Sequence, residues 1–338
     1  MTTIYDIAKA AGVTATTVSN VLAGKGSVSA ATRARVLRYI QELKYQPNLV
    51  ARSLIKGRTG VIGFAVRSLD NPFYAELAAV VENLAYQVGL RVFMTTFSLG
   101  EQTGTQLLKD LTARRVDGLL VAPGCPSPQL IHSIVEQHIP VVYCLWEEEL
   151  PEQTLAVTFD FAQAGRLAAE HLLQLGHRRI GIITDMTPAG ENTHFQRIRE
   201  FQAALAEQGI VSDPQLLQAG NSSFESGKQA FQRLWVLETP PTAIFATNDL
   251  MAIGVMSAAW EAGLHIPADL SVVGLDNILQ ARYVTPPLTT IMIDKAALMS
   301  QAIDVLLKEI EGQHTPAIPI IPASLVVRNS TGPPRTKM

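Results

Sequence analysis

Residues 4–20 read Ile-Tyr-Asp-Ile-Ala-Lys-Ala-Ala-Gly-Val-Thr-Ala-Thr-Thr-Val-Ser-Asn. Ile4, Ile7, Ala8 and Ala11 recur at the spacing that lines one face of a helix, and Gly12 stops it. Val13 begins a turn, and Thr14 is placed to cap a second helix, Ala15 to Leu22. In that helix Val18 with Val21 or Leu22 points inward, while Ala15, Thr16, Ser19 and Asn20 stay on the open side. Two short helices across a tight Gly-Val turn describe either a helix-turn-helix, whose second helix enters the major groove of DNA, or a plain three-helix bundle with a solvated basic surface. A third helix, about Ala31 to Leu43, is expected to close the small core with Val36, Leu37, Ile40 and Leu43. It shows Arg33, Arg35 and Arg38 outside.

Charge points the same way. The first 58 residues carry nine Lys or Arg against Asp6 and Glu42, whereas the whole chain has 27 bases, 30 acids and a net charge of −3. A basic head on an acidic body is the separation expected when a short module meets a polyanion and a larger one handles something else.

The motifs Tyr5-Asp6-Ile7-Ala8, Ala11-Gly12-Val13-Thr14-Ala15-Thr16-Thr17-Val18-Ser19-Asn20, Val28-Ser29, Thr32-Arg33, Tyr45-Gln46-Pro47-Asn48 and Ala51-Arg52-Ser53-Leu54 resemble the DNA-binding head of the lactose repressor family of bacterial transcription regulators. The resemblance runs on to about residue 328. It implies DNA contacts from Thr14, Ala15, Thr16, Thr17, Ser19, Asn20, Ser29 and Thr32, with Ala15, Thr16 and Asn20 facing base edges and most Arg and Lys touching phosphate. It also implies a hinge helix, Asn48 to Lys56, stopped by Gly57 and contacting DNA through Asn48, Ala51, Arg52, Leu54 and Lys56. So short a helix does not persist alone in water. In the family two such helices pair across a dimer axis, and the leucine matching Leu54 wedges into a minor-groove base step.

From Thr59 onward, β-branched apolar runs alternate with helix-like stretches, the pattern of parallel sheets flanked by helices. The fold class expected is therefore α/β, with a three-helix head and a two-lobed effector domain of the periplasmic-binding-protein type. By resemblance the divisions are a head at 1–46, hinge and linker at 47–60, one lobe at 61–161 with 293–320, a second at 162–292 with 321–330, and a flexible tail at 331–338.

Open parallel sheets bind ligands beyond the carboxyl ends of their strands. Phe73, Tyr74, Trp146, Asp160, Asn192, His194, Arg197, Asn248 and Asp276 stand at such positions. Aromatic planes with one Arg, amides and carboxylates suit a small polar ring-shaped effector such as a sugar or sugar derivative. Phe73 and Trp146 are expected as walls, Arg197 as donor, Asn248 as bidentate amide, and Asp276 and Asp160 as acceptors; Asp160 and Asp249 also stand where a carboxylate caps the next helix. Glu191 replaces a basic effector-binding residue of a relative, and Ser222 an aromatic that covers the ligand. Both changes argue against a purine base. Leu145 also stands where an acid is common after the fourth strand.

No nucleotide-binding glycine motif, hydrolase elbow or zinc-protease motif occurs, so neither an enzyme nor a cofactor or metal is expected. Cys125 and Cys144 lack metal spacing, and the amino terminus resembles no export signal. The expected location is cytoplasmic. The competing reading is a solute-binding protein or sugar-modifying relative on the same two lobes; it calls for a signal sequence and no basic head. A homodimer on an operator of two-fold symmetry follows from the paired hinge helices, and the tail, lacking leucine heptads, predicts no further bundle.

Overall fold

The computed structural model describes residues 2–24, 26, 28–45, 57–97, 101–113, 115–123, 134–147, 154–186, 194–313 and 319–335. The hinge segment, with Asn48, Ala51, Arg52, Leu54 and Lys56, lies outside them, as do Cys125, Glu191 and Asn192. The chain divides into two compact units, 1–60 and 61–338.

In the first unit, α1 (Ile4–Ala11) begins with a reciprocal capping box: the Thr3 hydroxyl accepts from Asp6 N, and the Asp6 carboxylate accepts from Thr3 N at 2.8 Å. These bonds hold the Asp6 carboxyl below its usual range. Gly12 closes α1 in the left-handed conformation at φ 62°, which frees the chain to turn within three residues. The second helix, α2 (Ala15–Ala23), is capped by Thr14, and α3 (Ala30–Glu42) by Ser29. Ile7, Ala8, Ala11, Val18, Val21 and Val36 form the core, with Tyr39, Ile40 and Tyr45 packed around it. Leu37 and Leu43 do not close that core; they are 44% and 39% exposed. Tyr39 takes the inward place, because Val36, Tyr39 and Ile40 are the i, i+3, i+4 set.

The second unit carries two six-stranded sheets. One has the order β11-β5-β4-β3-β1-β2, from β1 (Val61–Val66), β2 (Arg91–Thr96), β3 (Gly118–Val121), β4 (Val141–Cys144), β5 (Leu155–Phe159) and β11 (Ile320–Ile321). The other has the order β12-β10-β9-β8-β6-β7, from β6 (Ile180–Asp185), β7 (Leu217–Gly220), β8 (Ala243–Ala246), β9 (Ser271–Asp276), β10 (Thr289–Met292) and β12 (Ser324–Val326). All pairs are parallel except β10 with β12. The apolar runs of β3, β4, β8 and β9 are buried throughout, as parallel strands covered on both faces must be.

Helices α4 (Pro72–Gln87), α5 (Glu101–Ala113) and α10 (Lys295–Ile310) serve the first sheet. Helices α6 (Phe161–Gln174), α7 (Phe195–Glu207), α8 (Phe224–Trp235) and α9 (Asp249–Glu261) serve the second. Each sheet with its helices is a lobe. Where α6 crosses α7, a side chain on Gly165 would overlap the carbonyl of Arg197, so glycine there sets how closely the helices approach.

The segment Thr331–Arg335, expected to be a loose tail, is tied down instead. His171 Nε2 meets the Thr331 hydroxyl at 2.9 Å, Gly332 N donates to Ser271 Oγ at 3.0 Å, and Arg335 pairs with Asp269 at 2.9 Å. Ser330, fully buried, bridges Thr289 N and the Val272 carbonyl.

Candidate functional site

In the head, Thr16 and Ser19 are exposed on α2, while Ala15, Thr17 and Asn20 are half-buried. Ala15 leans on the head core. The Thr14 hydroxyl accepts from Thr17 N at 3.2 Å and meets the Thr17 hydroxyl at 2.9 Å; Ser29 makes the equivalent pair with Thr32 at 3.2 and 2.9 Å. Thr14, Thr17, Ser29 and Thr32 therefore fix the helix starts first. Arg38 is partly engaged, 3.5 Å from Glu42 and stacked over Tyr39.

The second site lies where the carboxyl ends of the two sheets meet. Arg197, in the first turn of α7, donates from Nη1 to the Thr247 carbonyl and from Nη2 to Glu147 Oε2, each at 2.9 Å, and stacks 4.2 Å over Phe161. It is 5% exposed, and its Nε has no hydrogen-bond partner among the described residues. Asp276 ends β9 with a left-handed φ of 123°, an uncommon conformation for a non-glycine residue. The residue is 6% exposed, and its side chain makes no hydrogen bond among the described residues. Burial, and then the neighbouring Asp249, push its carboxyl well above the usual range. Burial likewise pushes Asp249 up to about 6; Asp249 accepts from Thr290 Oγ1 and from Ile278 N. His194 Nδ1 lies 2.8 Å from Thr247 Oγ1, and burial followed by the charges of Arg197 and Arg67 drives its ring well toward the neutral form.

Among the described residues, three sets of polar contacts join the lobes. Arg67, just after β1, pairs with Asp185 at the end of β6 at 2.7 Å, and Ser222 donates to the same carboxylate oxygen at 2.8 Å. Glu147, beyond β4, takes Arg197 and the first amides of α7. Lys295, 3.1 Å from Glu76, donates to the carbonyls of Asp276 and Asn277 at 2.9 and 3.1 Å, while Glu76 accepts from Leu279 N at 2.7 Å.

Residues 3–48 match the model of bacterial regulatory proteins of the lacI family, and residues 169–331 match the periplasmic binding protein-like domain. The chain is 39% identical over 332 residues to an HTH-type transcriptional repressor PurR of Edwardsiella ictaluri, covering 98% of this chain and 97% of the relative. It is 35% identical to the HTH-type transcriptional regulator DegA of Bacillus subtilis, covering 99% of both chains. Among solved structures it is similar to the lac repressor dimer bound to operator and the anti-inducer ONPF, with a TM-score of 0.85 at 31% identity over 98% of this chain and 99% of that one. The chain belongs to the lacI family. It is a sequence-specific DNA-binding transcriptional regulator controlled by an effector, not an enzyme. Among the described residues no helix is long and apolar enough to cross a membrane.

Within this lacI-family cleft the expected residues separate into two groups. Arg197, His194 and Asp276 converge, the first two through Thr247. Asp160 and Asn248 serve first as helix caps. Asp160 caps α6 by accepting from Gln163 N, and Asn248 caps α9 by accepting from Met251 N, each at 2.8 Å, so one oxygen of each is already engaged by its own helix. Asn248 rather than Asp249 is the cap of α9. Phe73 is buried in the core edge-on to Tyr74, with Lys295 over its ring at 5.3 Å, which leaves little of its face for a ligand. Trp146 is half-buried edge-on to Tyr143.

Arg67, Glu147, Asp185, Thr247 and Lys295 complete the cleft and were not anticipated. Strand-end logic reaches Arg67 and Asp185 once β1 and β6 are extended to Val66 and Asp185. Glu147 sits in the run Glu147-Glu148-Glu149, which reads as a solvated acidic turn. The acid missing at Leu145 is thus supplied two residues later; Leu145 itself is buried and takes a left-handed φ of 60°.

Proposed function

We propose that this regulator is a homodimeric repressor whose operator affinity is set by a small neutral polar compound, a sugar or sugar derivative, held between the lobes. The observation carrying the effector class is the Arg197 Nε–H, sealed from solvent with no partner among the described residues, beside the buried Asp276 carboxyl, which in its neutral form both donates and accepts. A hydroxyl satisfies either, and a buried polar group left unsatisfied costs free energy. The cations around them already face carboxylates of the chain itself, in Arg67 with Asp185, Arg197 with Glu147 and Lys295 with Glu76. An anionic effector finds no unmatched cation among these three. Ser222, engaged with Asp185, offers no stacking face for a purine.

The dimer reading rests on β2, an edge strand with Phe93 and Met94 exposed beside Tyr86 and Val88, and on the exposed Leu279 and Tyr283 of the other lobe. Bare apolar edge strands are normally covered. The lac repressor structure named above is a dimer on its operator. On DNA, Ala15, Thr16 and Asn20 read base edges, and the hinge helices, with Leu54, enter the minor groove.

The test is to select genomic fragments bound by the full chain, label one as operator, and follow its anisotropy while titrating neutral sugars and polyols, nucleobases and sugar phosphates. A neutral sugar or polyol is expected to shift the operator Kd, with Arg197→Ala and Asp276→Asn each abolishing the shift. Response only to a nucleobase or a phosphorylated compound would overturn the effector class.

A further inference from the structure

Helix α7 lacks a cap of its own. Its N-cap residue, His194, makes no side-chain cap bond. The first amides of a helix carry unsatisfied donors and the positive end of its dipole. Here the cap arrives from the other lobe: Glu147 Oε1 accepts from Gln196 N at 2.9 Å and from Arg197 N at 3.2 Å. Glu147 Oε2 takes the Arg197 guanidinium at 2.9 Å, and the Glu147 carbonyl accepts from the Gln196 side-chain amide. One residue of the first lobe thus holds the start of a second-lobe helix through two backbone amides, one amide side chain and one guanidinium. Beyond β1, Arg67 reaches Asp185 at the end of β6, which is also held by Ser222.

We propose that Glu147 and the Arg67–Asp185 pair form a latch that holds the two lobes closed with no contribution from an effector. All the donors and acceptors in it belong to the chain. Glu147 is the stronger half, because a carboxylate on helix amides and a guanidinium makes charge-assisted bonds. It is also buried, with only 7% of its surface exposed, so salt screens it little. The Arg67 side chain is 44% exposed, which makes that half the weaker and the more salt-sensitive. The proposal goes beyond the effector reading: it concerns the resting position of the lobes and stands whichever compound binds.

Leu279 N supplies an independent reporter. It bonds across the cleft to Glu76, so neither half of the latch touches it. Residue-resolved amide hydrogen exchange on the full-length, effector-free protein should find Gln196, Arg197 and Leu279 all protected. In the double variant Glu147→Ala with Asp185→Asn all three should exchange at least tenfold faster. If that variant does not fold, Glu147→Gln with Arg67→Gln removes both cross-lobe ion pairs while leaving an amide oxygen for the α7 amides; Leu279 should again exchange at least tenfold faster, and Gln196 and Arg197 should keep part of their protection. Faster exchange at Gln196 and Arg197 with Leu279 unchanged would reduce Glu147 to a local cap and overturn the latch. So would unprotected amides at all three positions in the wild-type protein.

Discussion

Arg197 shows how one side chain is held between opposing demands. A buried guanidinium needs a counterion, and removing one partner of such a pair costs about 3–5 kcal/mol because the other charge stays behind. Glu147→Ala should therefore destabilise the second unit by that order in urea unfolding, and Glu147→Gln by less, since its amide oxygen still accepts from the α7 amides. Replacing both, as Glu147→Gln with Arg197→Met, should recover part of the loss; strict additivity of the two single changes would refute the coupling. Asp249 raises a separate question of pH. Its carboxyl is pushed from 3.8 up to about 6, chiefly by burial, among Thr290, Ile278 N, Lys295 and Arg328. The folded protein thus keeps this proton where the unfolded chain has released it. The stability so gained is full below about pH 3.8 and is lost as pH rises through about 6, a swing of at most about 3 kcal/mol. Asp249→Asn should remove that swing, so variant-minus-wild-type melting temperature should climb between pH 4 and 6.5. Parallel curves would contradict the assignment.

At the scale of elements, α6 and α7 decide where Arg197 sits. Gly165 lets α6 approach the Arg197 carbonyl too closely for a β-carbon, so Gly165→Ala must push α7 away or strain both helices, at about 1–3 kcal/mol. The displacement should also weaken effector response more than operator binding, measured by anisotropy with and without effector; equal loss in both would place the damage elsewhere. The elements most legible in sequence were those whose local pattern matches their burial. The head helices announce themselves through Gly12 and Thr14, and β3, β4, β8 and β9 through continuous apolar runs. Strand β7 escaped notice because Leu217-Gln218-Ala219-Gly220 has no β-branched residue, and β11 and β12 because two or three residues carry no periodicity. The cleft was half legible for a related reason. Arg197 and Asp276 stand out as polar residues after apolar runs, but Asn248 and Asp160 look the same and turn out to be caps. Whether a side chain caps its own helix or reaches across a cleft depends on tertiary approach, which spacing does not encode; Glu147, capping a helix 50 positions away, is the clearest case.

For the whole molecule, function requires that cleft, hinge and head act through one dimer. The hinge prediction separates specific from nonspecific binding: Leu54→Ala should remove much of the operator affinity and little of the affinity for random DNA, because a wedge acts through deformation of one base step whereas phosphate contacts are common to both. Equal loss on the two DNAs would argue against a wedge. Assembly is tested at the bare apolar faces. Phe93 and Tyr283 are 45% and 77% exposed, large apolar side chains left in water on an edge strand of one lobe and a turn of the other. Phe93→Glu with Tyr283→Glu places four carboxylates in a two-fold interface, so sedimentation at micromolar concentration should show a monomer. Val211→Glu, at a position 89% exposed in the turn after α7, is the control and should leave the dimer intact. Two heads joined in one dimer bind the second half-site at the high effective concentration set by their connection. Loss of the dimer should then lower affinity for a full two-fold operator by about 10²- to 10⁴-fold and leave affinity for an isolated half-site unchanged. A double variant that sediments as a dimer, or a monomer that binds the full operator as tightly as the wild type, would remove these faces from the assembly.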